Sequence, residues 1–428
     1  VLCHEIFTNG IAYVRLIFNL NNIPAEYFPY IGVLKGVLGL LNTKNYAYGD
    51  LFNEMNIVTG GIAAAANVYG NIEDMEQYTV TLEIKTKVLY NNIDKAIALI
   101  KEIILSSDYT DEKRIYEILA EGKSRVQSQM TSSGHSVTAS RAMSYGSTQA
   151  AISETLSGIS FYRLISDITE NYEEKKKELS TILAELAEMI FRKENLMIDY
   201  VGTQEGYDLL TEPVGDLMGE LYENSVKTGS FKPEVVCKNE GFTTSGQVQF
   251  VCRAGNFRKK GLKYRGDLKV LRVMMGYEYL WMNIRVKGGA YGCMCNFGRT
   301  GDSYFVSYRD PNLKNTVTVY EEAATAIAEF EADERTMTQY IIGAISDLDV
   351  PMNPAAKGLF SLSAYMTGLT EEILQKERDE LLSASEESIR SLSEYVSSFM
   401  EDNYLCVVGS KERIEEEENL FFHVENLL

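Results

Sequence analysis

Histidine is nearly absent from this 428-residue sequence: only His4, His135 and His423 occur, and none stands in an H-x-x-E-H, H-x-x-H or H-E-x-x-H frame. A zinc site needs three or four closely spaced His, Cys or carboxylate ligands, so no local metal motif can be built from these residues. The six cysteines are scattered with no C-x-x-C pair, which fits a reducing compartment better than a disulfide scaffold. Cytoplasm is the first expectation and an organelle matrix the second. Long apolar runs are missing too. Even IGVLKGVLGLL is broken by Lys35 and falls short of the ~20 residues a membrane helix requires, so no membrane partner is expected. A P-loop, a G-x-G-x-x-G after a strand and a G-x-S-x-G elbow are all absent, which removes the usual signals of nucleotide binding and serine hydrolysis. Positive charge is also scarce. Lys and Arg number 41 against 61 Asp and Glu, a formal charge of −20 that repels phosphate backbones. Nucleic acid is therefore not an expected partner, whereas a basic peptide is compatible. The sequence begins at Val1 without a leader, and the expectation is a piece of something longer.

What is present is the composition of a packed globular protein, 45% hydrophobic and 11% aromatic. Its length exceeds the size at which single cores stop growing, so two domains of roughly 200 residues are expected. A pass along the chain finds one series twice. Residues 11–19 alternate as a strand, and the apolar stretch 27–41 reads as a buried helix. After Gly60-Gly61 come two β-like runs, IAAAANVY and YTVTLEIKTKVL. Helical spacing follows at 93–104, 111–129 and 172–192, and the strand LMIDYVGT (196–203) closes the half. The second half repeats this: QVQFVCRA (247–254), an apolar helix over about 268–282, Gly288-Gly289, the runs AYGCMCNF and SYFVSYRD, further helices, and the strand YLCVVGS (404–410). The glycine pairs lie 228 positions apart and the closing strands 207, as expected of two related α+β units of which the first carries about twenty more residues. The spacing predicts domains over 1–204 and 241–428, joined by a polar linker at 205–240 that holds Pro213 and Pro233.

One compact cluster has chemical promise: Arg285-Val-Lys-Gly-Gly-Ala-Tyr291-Gly292, entered from an apolar helix and leaving into a strand. Two readings of it stand open. In one, Gly288 and Gly289 let an extended peptide approach the backbone, while Arg285 and Tyr291 donate hydrogen bonds to a carbonyl oxygen that is gaining charge. In the other, Gly-Gly is a tight turn, Tyr291 a half-buried strand residue and Arg285 a cation at a helix C-terminus. The basic run Arg253–Lys269 reads most simply as a solvated hairpin face, with contact to a partner domain's acidic surface as the alternative, Cys293 and Cys295 as core or near-core thiols, and His135 as a cap or loop residue between helices.

At this cluster the sequence resembles the C-terminal half of the presequence-protease branch of the pitrilysin and insulinase-like zinc peptidases. The matching stretches are HEIFTNGIAYV (4–14), SSGHSVTASRA (132–142), RVKGGAYG (285–292) and YRDPNL (308–313), in order along nearly the whole chain. The resemblance implies an α+β fold of two homologous pitrilysin-like α/β sandwich domains, each a mostly antiparallel sheet covered by helices. It implies a zinc metalloendopeptidase that degrades short unstructured peptides, with the zinc motif in an N-terminal half. This chain then contributes Arg285 and Tyr291 as catalytic donors and Gly288 and Gly289 as substrate-binding positions, with no metal or cofactor of its own. Peptide substrates and the zinc-bearing half become the expected partners, and the chain alone is expected to be inactive. The alternative is a non-catalytic scaffold subunit that pairs with a separate zinc-bearing half. Arg285 and Tyr291 are expected on one concave wall, away from the interface between the two repeated units.

Overall fold

The computed structural model describes residues 1–427. Its strands are β1 (Leu2–Glu5), β2 (Ile11–Asn19), β3 (Ile62–Gly70), β4 (Tyr78–Leu89), β5 (Leu196–Gly202), β6 (Glu240–Thr244), β7 (Phe250–Asn256), β8 (Gly292–Phe297), β9 (Asp302–Tyr308), β10 (Tyr404–Ser410) and β11 (His423–Asn426). The first sheet has the order β1-β5-β2-β4-β3 and the second β11-β6-β10-β7-β9-β8. Apart from the added β11, the second order is the first with every strand replaced by its counterpart. The pairing senses agree as well: β1 with β5 and β6 with β10 run parallel, and the remaining pairs of the shared pattern are antiparallel. Six helices intervene between the fourth and fifth strands of each unit. The doubled architecture read from the two glycine pairs is thus a doubled topology.

The strands form where apolar residues recur at period two. Ala12, Val14, Leu16 and Phe18 of β2 are all at most 1% exposed and pack with Ile97 and Ile100 of the helix Ile93–Ser106 and Leu183 and Leu186 of the helix Tyr172–Ile190. The intervening Tyr13 and Arg15 fall on the opposite face. A second core gathers around Phe305, Tyr320, Val396 and Phe399.

A third apolar cluster joins the units. Met130, Ala139, Ala142, Tyr145, Ile159 and Tyr162 of the first meet Phe242, Phe250, Cys252, Val306, Cys406 and Val408 on the second sheet. The third of the six intervening helices in each unit, Gly134–Ser144 in the first and Pro354–Thr367 in the second, lies on the sheet of the other unit. Close packing shows in the glycines: a Cβ on Gly134 would sit 2.3 Å from the Phe250 ring, and one on Gly358 would sit 2.1 Å from a Val201 methyl. Arg141 crosses the same seam. Its guanidinium donates to both carboxylate oxygens of Glu240 at 2.6 and 2.9 Å and lies 3.1 Å from Glu154, and all three residues are buried. Tyr145 donates to Glu240 at 2.8 Å.

Several sequence expectations need correction. The stretch 205–240 does not open as a linker: Gln204–Glu220 is a helix that turns Leu210, Val214 and Leu217 into the first core despite Pro213, and irregular backbone is confined to 221–239. The helix expected over 27–41 is only Ile31–Val37 after a short 3₁₀ turn, and the chain turns at Gly39 with φ +79°. The apolar helix expected over 268–282 ends at Tyr277 and is followed by a π-helical turn, Trp281–Lys287. The helix at Gly134–Ser144 takes in the segment read as a loop around His135. Finally, the basic run is not all solvated: Arg253 is buried, and Arg258 meets the other unit, as its alternative reading allowed, but through the backbone carbonyls of Ile72 and Glu73 on the β3–β4 hairpin and not through acidic side chains.

Candidate functional site

The RVKGGAYG stretch is built from a widened helical turn that hands the chain to an edge strand. Ile284 is the turn's buried anchor, at 2% exposure. Each glycine has a local task. A Cβ on Gly288 would lie 2.5 Å from the Ile284 carbonyl oxygen, and Gly289 adopts φ +81°, the left-handed region that side chains disfavour. The N–H of Gly289 donates to the Arg285 carbonyl at 2.9 Å, and Asn312 Nδ2 donates to the Gly288 carbonyl at 2.6 Å. Both glycines are therefore required by the turn itself, whatever lies outside it.

Asn312 belongs to the downstream YRDPNL stretch, whose place in the resemblance the structure explains. Asp310 is fully buried and accepts from the N–H of Asn312 at 2.9 Å and from Thr316 Oγ1 at 2.7 Å, while its backbone exchanges two 2.8 Å bonds with Gln249. Burial pushes its carboxyl above the usual aspartate range, an effect that these donors partly offset. The loop is thus a clamp: Asp310 orders Asn312, and Asn312 holds Gly288. Sequence reading missed Asn312 because its target is 24 positions away, and only the recurrence of the two stretches together signalled a link.

Arg285 and Tyr291 emerge on either side of this turn and are brought together. The Arg285 guanidinium stacks 4.0 Å from the centroid of Trp281 and lies 5.9 Å from that of Tyr291, and among the described residues it has no ion pair. Trp281, the only tryptophan in the sequence, fixes the guanidinium plane and was not anticipated. Tyr291 is 67% exposed just ahead of β8, whose outer edge carries no further strand among the described residues. An unpaired guanidinium and a phenol facing solvent across one turn form a pair of hydrogen-bond donors with no acceptor between them. The neighbouring thiols are not nucleophiles at neutral pH. Burial pushes Cys293 up to about 11, with Arg285 beside it pulling only partly back, and Cys295 up to about 12.

The expectation that this wall stands away from the interface between the units does not hold. The Tyr291 ring meets Tyr308 edge-on at 5.8 Å. Tyr308 in turn packs on His135 at 5.0 Å and Phe250 at 5.6 Å, and its hydroxyl donates to the Ser132 carbonyl of the first unit at 3.2 Å. Tyr291 thus abuts the seam through one aromatic ring. His135, in the first turn of its helix, presents Nδ1 without a partner, and burial pulls its pKa down, so the ring stays neutral and packs as an aromatic.

His4 lies on β1 against Asp199 at 2.8 Å, and His423 on β11 against Glu425 at 3.1 Å. Among the described residues no three His, Cys, Asp or Glu side chains gather as a ligand set, and these residues do not fit a zinc ion. Among the described residues no helix is long and apolar enough to cross a membrane.

Comparisons with known proteins align with this layout. Residues 1–168 match the family described as associated with subfamily C of the M-16 peptidases, and residues 239–411 match the PreP C-terminal domain. Across its whole length the chain is 38% identical to Protein HypA of Clostridium perfringens and 26% identical to presequence protease 1, chloroplastic/mitochondrial, of Arabidopsis thaliana, and it spans 44% and 40% of their lengths. A conserved protein from Enterococcus faecalis V583 shares the fold, with a TM-score of 0.68 at 14% identity over 96% of both chains. The second of the two family matches ends just past the strand that closes the second repeat, and the relatives are more than twice as long as the chain. The sequence and fold are those of the C-terminal half of a presequence-protease-like peptidase of the pitrilysin and insulinase-like superfamily.

Proposed function

We propose that this chain is the non-metal half of a metalloendopeptidase acting on short unstructured peptides, and that Arg285 and Tyr291 donate hydrogen bonds to the scissile carbonyl as it gains negative charge. The observation that carries the reading is the pairing itself: an unpaired guanidinium 5.9 Å from the ring of a solvent-facing tyrosine, both held by a rigid turn at an open strand edge. Donors preset at the place where charge develops stabilise a transition state without having to reorganise. Trp281 and the Asn312–Gly288 clamp supply that rigidity. An extended peptide laid along β8 would place its backbone beside both donors. The zinc ion expected from the resemblance belongs, in this reading, to the portion of the longer protein that this chain does not include. The net charge of −20 adds long-range attraction for basic peptides, an effect that weakens as salt rises.

The test uses the full-length protein. Tyr291→Phe removes one donor and keeps the ring on Tyr308, so kcat should fall roughly 10²-fold with little change in KM. The 428-residue chain alone should show no peptide hydrolysis. Unchanged kcat in a folded Tyr291→Phe enzyme would refute the donor role and leave the chain as a scaffold.

A further inference from the structure

The first repeat carries a Gly-Gly turn of its own, Gly60-Gly61, ahead of its edge strand β3, and it opens a site unlike that of the second. A cavity of about 280 Å³ lies there, lined by Gly60, Gly61, Arg15, Lys85 and Lys87 and roofed by Ala355 from the second unit. Its lining holds three cations and no carboxylate, in a chain with 61 acidic and 41 basic residues. Arg15 is compensated by Glu83 and Asp199, each at 3.9 Å. The side chains of Lys85 and Lys87 are exposed and, among the described residues, make no ion pair or hydrogen bond. The stem of Lys87 lies across Gly60, where a Cβ would come within 2.4 Å of it, so the glycine is what lets this lysine reach the cavity.

The strand that leads out of the cavity has a free edge. In the β3–β4 register Ala63 faces Lys85, Ala65 faces Glu83 and Asn67 faces Thr81, and the pattern continues into the bond from Asn71 N–H to the Gln77 carbonyl. These alternate pairs exchange the ladder bonds, which turns the N–H and C=O groups of Ile62, Ala64 and Ala66 outward, and no further strand pairs with them. A peptide added antiparallel to β3 would run toward Ile62 and end beside Gly60-Gly61. Lys85, standing on the strand next to β3, reaches over the small Ala63 to the same place.

We propose that the edge of β3 and this cavity form a second peptide site, in which an extended peptide adds antiparallel to β3 and its C-terminal carboxylate lies between Lys85 and Lys87. Charge complementarity selects this occupant, because two uncompensated ammonium groups converge at the end of the strand edge where an antiparallel peptide presents its terminus. The site stands whether or not Arg285 and Tyr291 act in hydrolysis, and it needs no metal.

The experiment is a fluorescence-anisotropy titration of the 428-residue chain with an N-terminally labelled Ser/Thr/Val peptide of about ten residues, some 30 Å when extended. The free acid is compared with its C-terminal amide and with an amide carrying one internal Glu. The free acid should bind roughly fivefold or more tightly than either amide, and Lys85→Met/Lys87→Met should erase that preference, weakening the acid by about tenfold. Ala64→Pro, which removes an outward N–H at an edge where proline is tolerated, should weaken all three peptides. Equal binding of acid and amide, or an unaffected lysine variant, would each overturn the proposal. Circular dichroism of every variant separates these outcomes from misfolding.

Discussion

Replacing Arg141 with Met should cut the stability of the whole chain far more than its single position suggests. Arg141 is 4% exposed and, among the described residues, is the one cation in ion-pair contact with both Glu240, at 5%, and Glu154, at 3%. Met keeps the apolar stem but leaves two buried carboxylates without the guanidinium that contacts both, with only Arg163 nearby. Breaking a buried pair from one side costs about 3–5 kcal/mol, against the ~1 kcal/mol that a surface pair contributes. Burial pushes Glu240 up, but the bidentate Arg141 contact and the Tyr145 hydroxyl outweigh it and hold its pKa below the usual glutamate value. A lowered folded-state pKa stabilises the protein above the unfolded value of ~4.3, and that contribution is lost as pH falls through the folded value. In the variant only the more distant Arg163 still favours the ionised form, so the gap between wild type and Arg141→Met should be widest near neutrality and should narrow as pH drops toward ~4. Urea unfolding followed by circular dichroism at both pH values measures this, with Glu240→Gln and the double variant completing a cycle. A loss below about 1 kcal/mol at pH ~7, or the same loss at both pH values, would refute the argument that the seam depends on this charge.

Two further outcomes test the site. Asn312→Ala releases the Gly288 carbonyl from its 2.6 Å bond, and in the full-length enzyme kcat should fall roughly tenfold or more while KM moves less, because the donors are displaced rather than removed; equal kcat would show that the turn holds without its clamp. Iodoacetamide at pH ~8 should label exposed Cys3 while leaving Cys293 and Cys295 unmodified until the chain unfolds, since burial holds those thiols at about 11 and 12; mass mapping that finds Cys293 labelled as fast as Cys3 would contradict that environment.

How far the sequence foretells this molecule depends on whether a residue's partner is near it in the chain. The strands β2 and β4 were legible because alternation is a local consequence of a pleated strand with one face in a core, and β10 as a short apolar run because both of its faces are buried, Leu405 and Val407 in one cluster and Cys406 and Val408 in another. The helix Gly134–Ser144 was not, because its underside rests on the sheet of the other unit and packs there through Gly134, Ala139 and Ala142, residues too small to print an apolar stripe. The helix Gln204–Glu220 was hidden by Pro213 and by polar residues on its outer face, although Leu210, Val214 and Leu217 do keep helical spacing. At the site Arg285, Tyr291 and the glycines were visible as a cluster. Trp281 and Asn312 were not, since stacking on a guanidinium and a bond to a carbonyl 24 positions away leave no mark in local composition.

The internal repeat separates what in the cluster is scaffold from what is added to it. Gly60-Gly61 and Gly288-Gly289 both precede the edge strand of a five-strand pattern, and the second glycine of each pair takes a positive φ, +107° and +81°. The turn is therefore a demand of the fold, met twice, and the glycines need no substrate to explain them. The same offset of 228 places Ile57 opposite Arg285 and Ala63 opposite Tyr291. One turn thus carries an isoleucine and an alanine, and the other a guanidinium and a phenol. Folding alone accounts for the first set, since Ile57 and Ala63 serve the same turn without donating anything. It gives no reason for a solvent-facing tyrosine beside an arginine that, among the described residues, has no ion pair, and the proposed donor role rests on this excess over what the turn requires.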